Sequence, residues 1–357
     1  MFAVLLVKVV SNTPFYKRRK FWLVLAVCVV VLAAAGGFFY SKLIGARMKV
    51  QADTEWLIIK TGDTYEDVLQ TLTRNGWIES EEVFDFLAQQ AKYPSKVKAG
   101  KYKIIKGETY IDVIRKLRAG KQEEVKLVIN AMITTRQVAS IVGANLEADS
   151  IEFINMLEDS TYLAQFGFTP QTVLCLFVPN TYNFYWNTDA KAVFQRLKKE
   201  HDKFWNDKRK QQAAAQGLTP LQAGILASIV DGETNKTDEM GIVAGLYLNR
   251  LKKDMLLQAD PTVKYAARNS GLQRVYNYHT QIQSPYNTYI YKGLPPGPLA
   301  LPSQQAIQAV LTPANHNYIY MCAKEDLSGY HNFTDNLTQH NLNAARYRLE
   351  LDKRGIK

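Results

Sequence analysis

The chain has 357 residues, 47% of them hydrophobic, with 44 basic and 33 acidic side chains and a formal charge of +11. Such a length and apolar content exclude a disordered chain and provide for two or three packed units. The positive surplus narrows the partners to nucleic acid, an anionic lipid surface or an acidic polymer, and the five scattered histidines, without CxxC or HExxH spacing, argue against a metal centre.

Residues 21–40, FWLVLAVCVVVLAAAGGFFY, are twenty positions without a charge, the length of a bilayer core. Lys17, Arg18, Arg19 and Lys20 precede them, and Phe21, Trp22, Phe38, Phe39 and Tyr40 are suited to the two interfaces. This pattern predicts a single-pass helix with residues 1–20 cytoplasmic and the remainder outside the cytoplasmic (inner) membrane. The run is long for a signal peptide and no clean small-x-small site follows it, so an uncleaved anchor is expected. The apolar MFAVLLV at the start is too short to span. That topology removes nucleic acid as a partner and favours an acidic polymer such as cell-wall glycan. Cys28 falls in the anchor, while Cys175 and Cys322 are left either to pair in an oxidising compartment or to stay as buried thiols. Residues 41–50 read as a linker.

An internal repeat follows. Lys60-Thr-Gly-Asp-Thr-Tyr-Glu-Asp-Val-Leu-Gln-Thr-Leu72 recurs 45 positions later as Ile105-Lys-Gly-Glu-Thr-Tyr-Ile-Asp-Val-Ile-Arg-Lys-Leu117. Each copy predicts a strand (Trp56 to Ile59; Tyr102 to Ile105), a glycine turn, and a helix capped by threonine with Val68, Leu69, Leu72 or Val113, Ile114, Leu117 on its apolar face. The copies resemble LysM modules, small βααβ domains, so residues 51–124 are expected to form a LysM-like α+β module. The resemblance implies contact with N-acetylglucosamine-containing glycan. A purely structural strand–helix unit needs the same caps and is the alternative.

Residues 125–217 read as a mostly helical connecting subdomain, with helical spacing at Asp149 to Leu157 and Ala190 to Phe204. Its aromatic run LFVPNTYNFYW, Leu176 to Trp186, combines a Pro179-Asn180 turn with strand-favouring residues and reads as core before sugar platform.

Residues 218–357 carry the chemistry. Thr219 and Pro220 predict a helix start, and Leu221, Ile225, Leu226, Ile229 and Val230 its buried stripe, which delivers Asp231 and Glu233 at the C-terminal end. Gly232 permits a close bend or a close ligand, so Glu233 can face a cleft. A carboxyl held against apolar neighbours has its charged form destabilised, which suits it to general acid work. Support of the next helix through its dipole is the plainer role. That next helix starts with Thr237, Asp238 and Glu239 and buries Ile242, Val243, Leu246 and Tyr247 before Asn249-Arg250-Leu251. A loop from Met255 to Tyr265, stiffened by Pro261, then groups Gln258, Asp260 and Thr262. Next come Ser284-Pro-Tyr-Asn-Thr-Tyr289 and the rigid Lys292-Gly-Leu-Pro-Pro-Gly-Pro298, which shapes a site or merely connects. A helix at Ser303 to Leu311, a strand at Tyr318 to Cys322, His331-Asn-Phe333, Gln339-His-Asn341 and a basic terminal helix complete the chain.

The ordered set ASIVDGET, IVAGLYLNRL, LLQADPTV, SPYNTY, GLPPGPL, HNF and QHN resembles the endolytic murein transglycosylase (YceG-like) family over most of residues 50–350. The chain departs from the family pattern at Asp231, where glutamate is frequent, at Leu174-Cys175 and Asn180 before the aromatic run, and at Ala259, where threonine is usual. The resemblance implies a mixed α+β catalytic domain in a membrane-anchored, periplasmic lyase that needs no cofactor and no metal. It would cleave the MurNAc-β-1,4-GlcNAc bond of nascent peptidoglycan glycan strands and leave 1,6-anhydro-MurNAc ends. Glu233 takes the place of the catalytic glutamate. The substrate-binding positions it implies are Asn249, Arg250, Gln258, Asp260 and Thr262; Tyr286, Asn287, Thr288 and Tyr289; Gly293, Leu294, Pro295 and Gly297; and His331. Gln258, Tyr286 and Asn287 are suited to hydrogen-bond sugar or acetamido groups, and Tyr289 to stack on a pyranose. Peptidoglycan synthases and other elongation proteins are the partners the resemblance adds. Asp260 as a second carboxylate would instead make a muramidase, and the anchor and repeats alone would suit a noncatalytic wall-binding scaffold.

Overall fold

The computed structural model describes residues 19–355 other than 270 and 273. The expected cytoplasmic residues 1–18, with Lys17 and Arg18, lie outside the described residues, as do the side chains of Arg19, Lys20 and Phe39. Helix α1 (Arg19–Gly45) runs past the expected end at Tyr40, and its Phe21–Gly45 stretch is long and apolar enough to cross a membrane, a property it shares with signal sequences. Residues 46–50 are not a free linker. Met48 and Val50 are buried, and the backbone N–H groups of Met48 and Lys49 donate to the carbonyls of Glu108 and Trp77, each at 2.8 Å.

The chain divides into two compact units between Glu123 and Glu124. In the first, β1 (Thr54–Ile59), α2 (Tyr65–Arg74), α3 (Glu81–Gln90), β2 (Gly100–Ile105) and α4 (Tyr110–Ala119) follow in order. The two copies of the repeat meet each other, because β1 pairs antiparallel with β2 from Thr54↔Ile105 to Ile59↔Gly100. Gly62 and Gly107 take φ of +95° and +77° in the turns, a region open to glycine without a Cβ clash. Thr64 then caps α2 in a reciprocal box with Asp67, and Thr109 accepts from the Asp112 N–H to cap α4. Alternation along the strands turns Leu57, Ile59, Tyr102 and Ile104 into a core shared with Val68, Leu72, Phe84, Val113 and Leu117.

The second unit contains β3 (Glu124–Ile129), α5 (Thr135–Asn145), α6 (Ser150–Glu158), α7 (Ser160–Ala164), β4 (Asn180–Tyr185), α8 (Ala190–Phe204) and α9 (Asp207–Ala215). There follow α10 (Pro220–Glu233), α11 (Thr237–Lys252), α12 (Asp260–Ala266), α13 (Gln304–Leu311), β5 (Tyr320–Ala323), β6 (His331–Thr334) and α14 (Leu337–Lys353). β3 pairs with β4 and β5 with β6, both antiparallel. The expected boundary at 217/218 falls inside this unit: Ile225 and Leu301 belong to the same apolar cluster as Leu127, Phe153 and Phe194. In the aromatic run, Phe177, Tyr182 and Phe184 are buried and Tyr185 is exposed. Cys175 and Cys322 are free thiols, and burial pushes them up to about 12 and about 11.

Helix α10 organises this unit. A Thr219–Gln222 capping box and Pro220 in the first turn start it, and Ile225, Leu226, Ile229 and Val230 are buried along it. The stretch expected as a loop around Pro261 is helical from Asp260 onward, since proline fits the first turn of a helix, where its missing N–H has no intrahelical partner. The irregular 292–303 segment returns across α10: the Leu299 N–H donates to Ser228 Oγ at 3.0 Å, and the Ser303 N–H and hydroxyl donate to the Asp231 carboxylate at 2.6 and 2.7 Å. Asp231 is thereby engaged in holding the start of α13.

Gly297 sits where a Cβ would come within 2.0 Å of the Gln171 carbonyl oxygen. Overpacking against backbone destabilises by roughly 1–3 kcal/mol. Gly297→Ala is therefore expected to lower the melting temperature by several degrees, and an unchanged melting curve would contradict this packing.

Candidate active site

Glu233 closes α10, and side chains from α11, α12 and the loop beyond bear on it. α11 folds back so that the Tyr247 hydroxyl donates to Glu233 Oε1 at 2.5 Å. α12 approaches through Gly232, where a Cβ would lie 2.7 Å from Pro261 Cβ. The close neighbour that Gly232 admits is thus the proline ring, and the residue before that proline is Asp260. The Tyr289 hydroxyl in turn donates to Asp260 Oδ1 at 2.6 Å.

These contacts set the charge states. Burial above all, then the Asp260 carboxylate, pushes Glu233 up from an ordinary 4.5 to about 8, against the pull of Tyr247, Lys264 and Arg250. Asp260 is itself raised by burial and drawn back by Tyr289 and Lys264. Tyr247 and Tyr289 are both raised by burial and by the neighbouring carboxylates, so both stay protonated as donors. A carboxyl with its proton near neutral pH, beside a donor that stabilises its anion, can give a proton and take one back. Among the described residues no cluster of His, Cys, Asp or Glu is arranged to hold a metal ion.

The remaining sequence-predicted positions surround this centre in distinct ways. Arg250 is buried, and its guanidinium donates to the carbonyls of Leu256, Leu257 and Ile319 and to Gln258 Oε1, so it clamps the 256–258 turn. Gln258 is exposed and holds φ at +53°, an uncommon backbone state for a side chain of this kind. Asn249 donates to the carbonyls of His316 and Tyr318. Thr262 and Thr288 are buried and share a hydrogen bond at 2.9 Å, and Asn287 donates to the carbonyls of Thr280 and Ile282. In Asn249, Thr262, Asn287 and Thr288 the polar side chains thus brace loops of the protein. Tyr286 packs against Tyr265 with ring centroids 4.5 Å apart and planes tilted by 37°, and both line a groove of about 1020 Å³ with Gly232, Pro261 and Lys264. Gly293 has φ of +81°, Pro295 and Gly297 are buried, and Leu294 packs against both apolar clusters of the unit. His331 turns its N–H and Nδ1 to Glu239, which also accepts from Thr234.

In the sequence Tyr247 belongs to the buried stripe of α11, with nothing in its immediate neighbours to mark a further part. The signal was available: a buried tyrosine needs a partner for its hydroxyl, which a leucine or phenylalanine at that position would not.

A mixed α+β unit that brings Glu233, at the end of a buried helix, close to Tyr247 and Asp260 is an arrangement that can support acid–base chemistry. The YceG-like family model matches residues 57–346, and the chain belongs to that family. The endolytic murein transglycosylase of Bacillus subtilis (strain 168) is 29% identical over 335 residues, covering 87% of this chain and 89% of its own length. That of Streptococcus pneumoniae serotype 2 is 26% identical over 347 residues, covering 87% of this chain and 62% of its own. The crystal structure of a yceG-like protein from Listeria monocytogenes matches with a TM-score of 0.53 and 25% identity, over 81% of this chain and 98% of that one.

Two expectations follow from the charge states. A carboxyl whose folded-state pKa, about 8, lies above its ordinary 4.5 binds its proton more tightly when folded. Its contribution to stability is full below 4.5 and is lost as pH rises towards 8. The melting temperature of Glu233→Gln relative to the unaltered protein should therefore climb between pH 4.5 and 8, and a constant difference would contradict the raised carboxyl. Asp260→Asn removes the neighbouring negative charge, so the alkaline limb of the activity profile should move below pH 8; a limb that stays or rises would show that Asp260 does not act on Glu233.

Proposed function

We propose that this chain is a membrane-anchored endolytic lytic transglycosylase acting on peptidoglycan. The observation that carries the reading is Glu233 at the end of α10, held by the Tyr247 hydroxyl and pushed towards its protonated form by burial and Asp260, in a member of a family whose curated relatives are named for that activity. In the proposed reaction Glu233 gives its proton to the oxygen of the MurNAc-β-1,4-GlcNAc bond. The C1–O bond breaks with its electron pair going to that oxygen, and C1 develops oxocarbenium character. The 6-hydroxyl of the same muramyl ring then attacks C1, and its proton returns to Glu233. The product carries a 1,6-anhydro bond, no water is consumed, and one carboxyl serves twice, whereas a hydrolase ordinarily needs a second.

The supporting parts of the reading follow from position. α1 is taken as an uncleaved single-pass anchor with its N-terminus cytoplasmic, which keeps the centre close to newly emerging strands and suits the release or length control of glycan. The first unit begins strand–helix–helix–strand before α4, and this order, with the repeated glycine turn, supports reading it as a LysM-like module that contacts glycan. The groove by Tyr286 and Tyr265 offers aromatic rings and the Lys264 ammonium to a sugar bearing carboxylates. Peptidoglycan synthases are the partners that this placement favours.

The test is mass spectrometry of products from uncrosslinked glycan strands incubated with the full chain in detergent, unaltered or as Glu233→Gln. Terminal 1,6-anhydromuramyl ends formed only by the unaltered chain are expected. Reducing ends with an added water would make the protein a muramidase and shift attention to Asp260. Absence of cleavage by folded, glycan-binding protein would favour a wall-binding scaffold.

A further inference from the structure

We infer that Tyr247 is a positioning residue that fixes which oxygen of Glu233 carries the transferable proton, reserving Oε1 as an acceptor and leaving Oε2 as the acid. The inference rests on the transglycosylase reading of the same site. It follows from three facts about the pair. First, Tyr247 is 1% exposed, and its hydroxyl has Glu233 Oε1 as its hydrogen-bond partner among the described residues. A buried hydroxyl without an acceptor is unfavourable, so the tyrosine donates. Second, a protonated carboxyl has one carbonyl-like oxygen and one hydroxyl oxygen. If Oε1 is held as the acceptor, the proton resides on Oε2. Third, Glu233 is half-buried, and while its Oε1 is engaged by Tyr247 its Oε2 has no hydrogen-bond partner among the described residues. The oxygen left with the proton is the one not already engaged by the protein, and so the one free to meet a substrate.

The same bond serves both halves of the cycle. When Oε2–H passes its proton to the leaving oxygen, the carboxylate that forms keeps a donor already in place, with no reorganisation at the moment of charge development. When the 6-hydroxyl returns a proton, Oε2 is again the open position. Tyr247 is held for this by its place on α11, fourteen residues beyond Glu233 in the chain and in the apolar cluster with Leu226 and Val243. The groups that bear on Glu233 from the packed elements are Tyr247 and Arg250 on α11, Asp260 and Lys264 on α12, and Tyr289, which acts through Asp260. Among the described residues Tyr247 is the one that hydrogen-bonds the Glu233 carboxyl.

Tyr247→Phe in the full chain tests the assignment. Loss of a donor that favours the anion should raise the alkaline limb of kcat/KM above pH 8, opposite to the expectation for Asp260→Asn, and kcat should fall about 3- to 10-fold, the size of one hydrogen bond, with KM unchanged. A limb and kcat equal to those of the unaltered chain would overturn the inference. So would a limb that moves down. If Tyr247→Phe does not fold, infrared difference spectra of the unaltered chain against Glu233→Gln still decide. The C=O band of protonated Glu233 should lie at the lower frequency of a hydrogen-bonded carbonyl, and a free-carbonyl frequency would overturn the proton assignment. Persistence of 1,6-anhydro products in Glu233→Gln would instead refute Glu233 as the acid, and hydrated reducing ends or no cleavage from the unaltered chain would refute the transglycosylase reading, so these failures are separable from that of the Tyr247 assignment.

Discussion

The contact on which the site depends is the approach of two helices with nothing between them at Gly232. Any side chain there would collide with the Pro261 ring, and α12 would have to move off α10. Asp260 would move with it. The charge that helps to keep Glu233 protonated thus derives from a hydrogen atom where other residues have a Cβ. Pro261 is equally constrained, since the first turn of α12 accepts a residue without an N–H and the ring fills the space the glycine leaves. A glycine and a proline, residues that usually mark the breaking of structure, here make a junction and tune a carboxyl.

Around that junction the polar side chains divide into those that hold the frame and those left available. Arg250 gathers the carbonyls of residues 256, 257 and 319, Asn287 those of 280 and 282, and Asp231 the N-terminus of α13. Each satisfies backbone groups that an irregular segment cannot pair within itself. This is why loops can form the walls of a site without collapsing, and why so many of the chain's distinctive polar residues face inward. Glu233 is different in kind: its desolvation is compensated by one hydroxyl and otherwise by keeping its proton.

Much of this was legible in the sequence because it is written in local chemistry. The caps at Thr64, Thr109 and Thr219, the start of α13 at Ser303 and the apolar stripe of α10 depend on residues within a few positions of one another, and the chain displays them directly. The repeat displayed two strand–turn–helix units but not that their strands would pair with each other, which is a long-range choice. The burial of residues 46–50 was hidden for the same reason: Met48 and Val50 are too short a pattern to announce a partner 60 residues away. Thr219 and Pro220 announce the start of a helix, and a cap marks the end of a helix without saying which core the helix enters.

The site shows the same division more sharply. Glu233 stood out because it ends an apolar helix, a local fact. The groups that decide its chemistry come from elsewhere in the chain: Tyr247 from the next helix, Asp260 from beyond it, and Tyr289 from a loop with no regular structure. A tyrosine at a core position reads as packing until its hydroxyl is found facing a carboxyl. Asparagine and threonine in a recognisable motif read as ligands for a sugar until their amides and hydroxyls are found on the protein's own carbonyls. Residue type alone does not separate a group that meets substrate from a group that holds the wall behind it. What separates them is whether a polar atom already has a partner, and in the pair at the centre of this site the answer differs between two oxygens of one side chain.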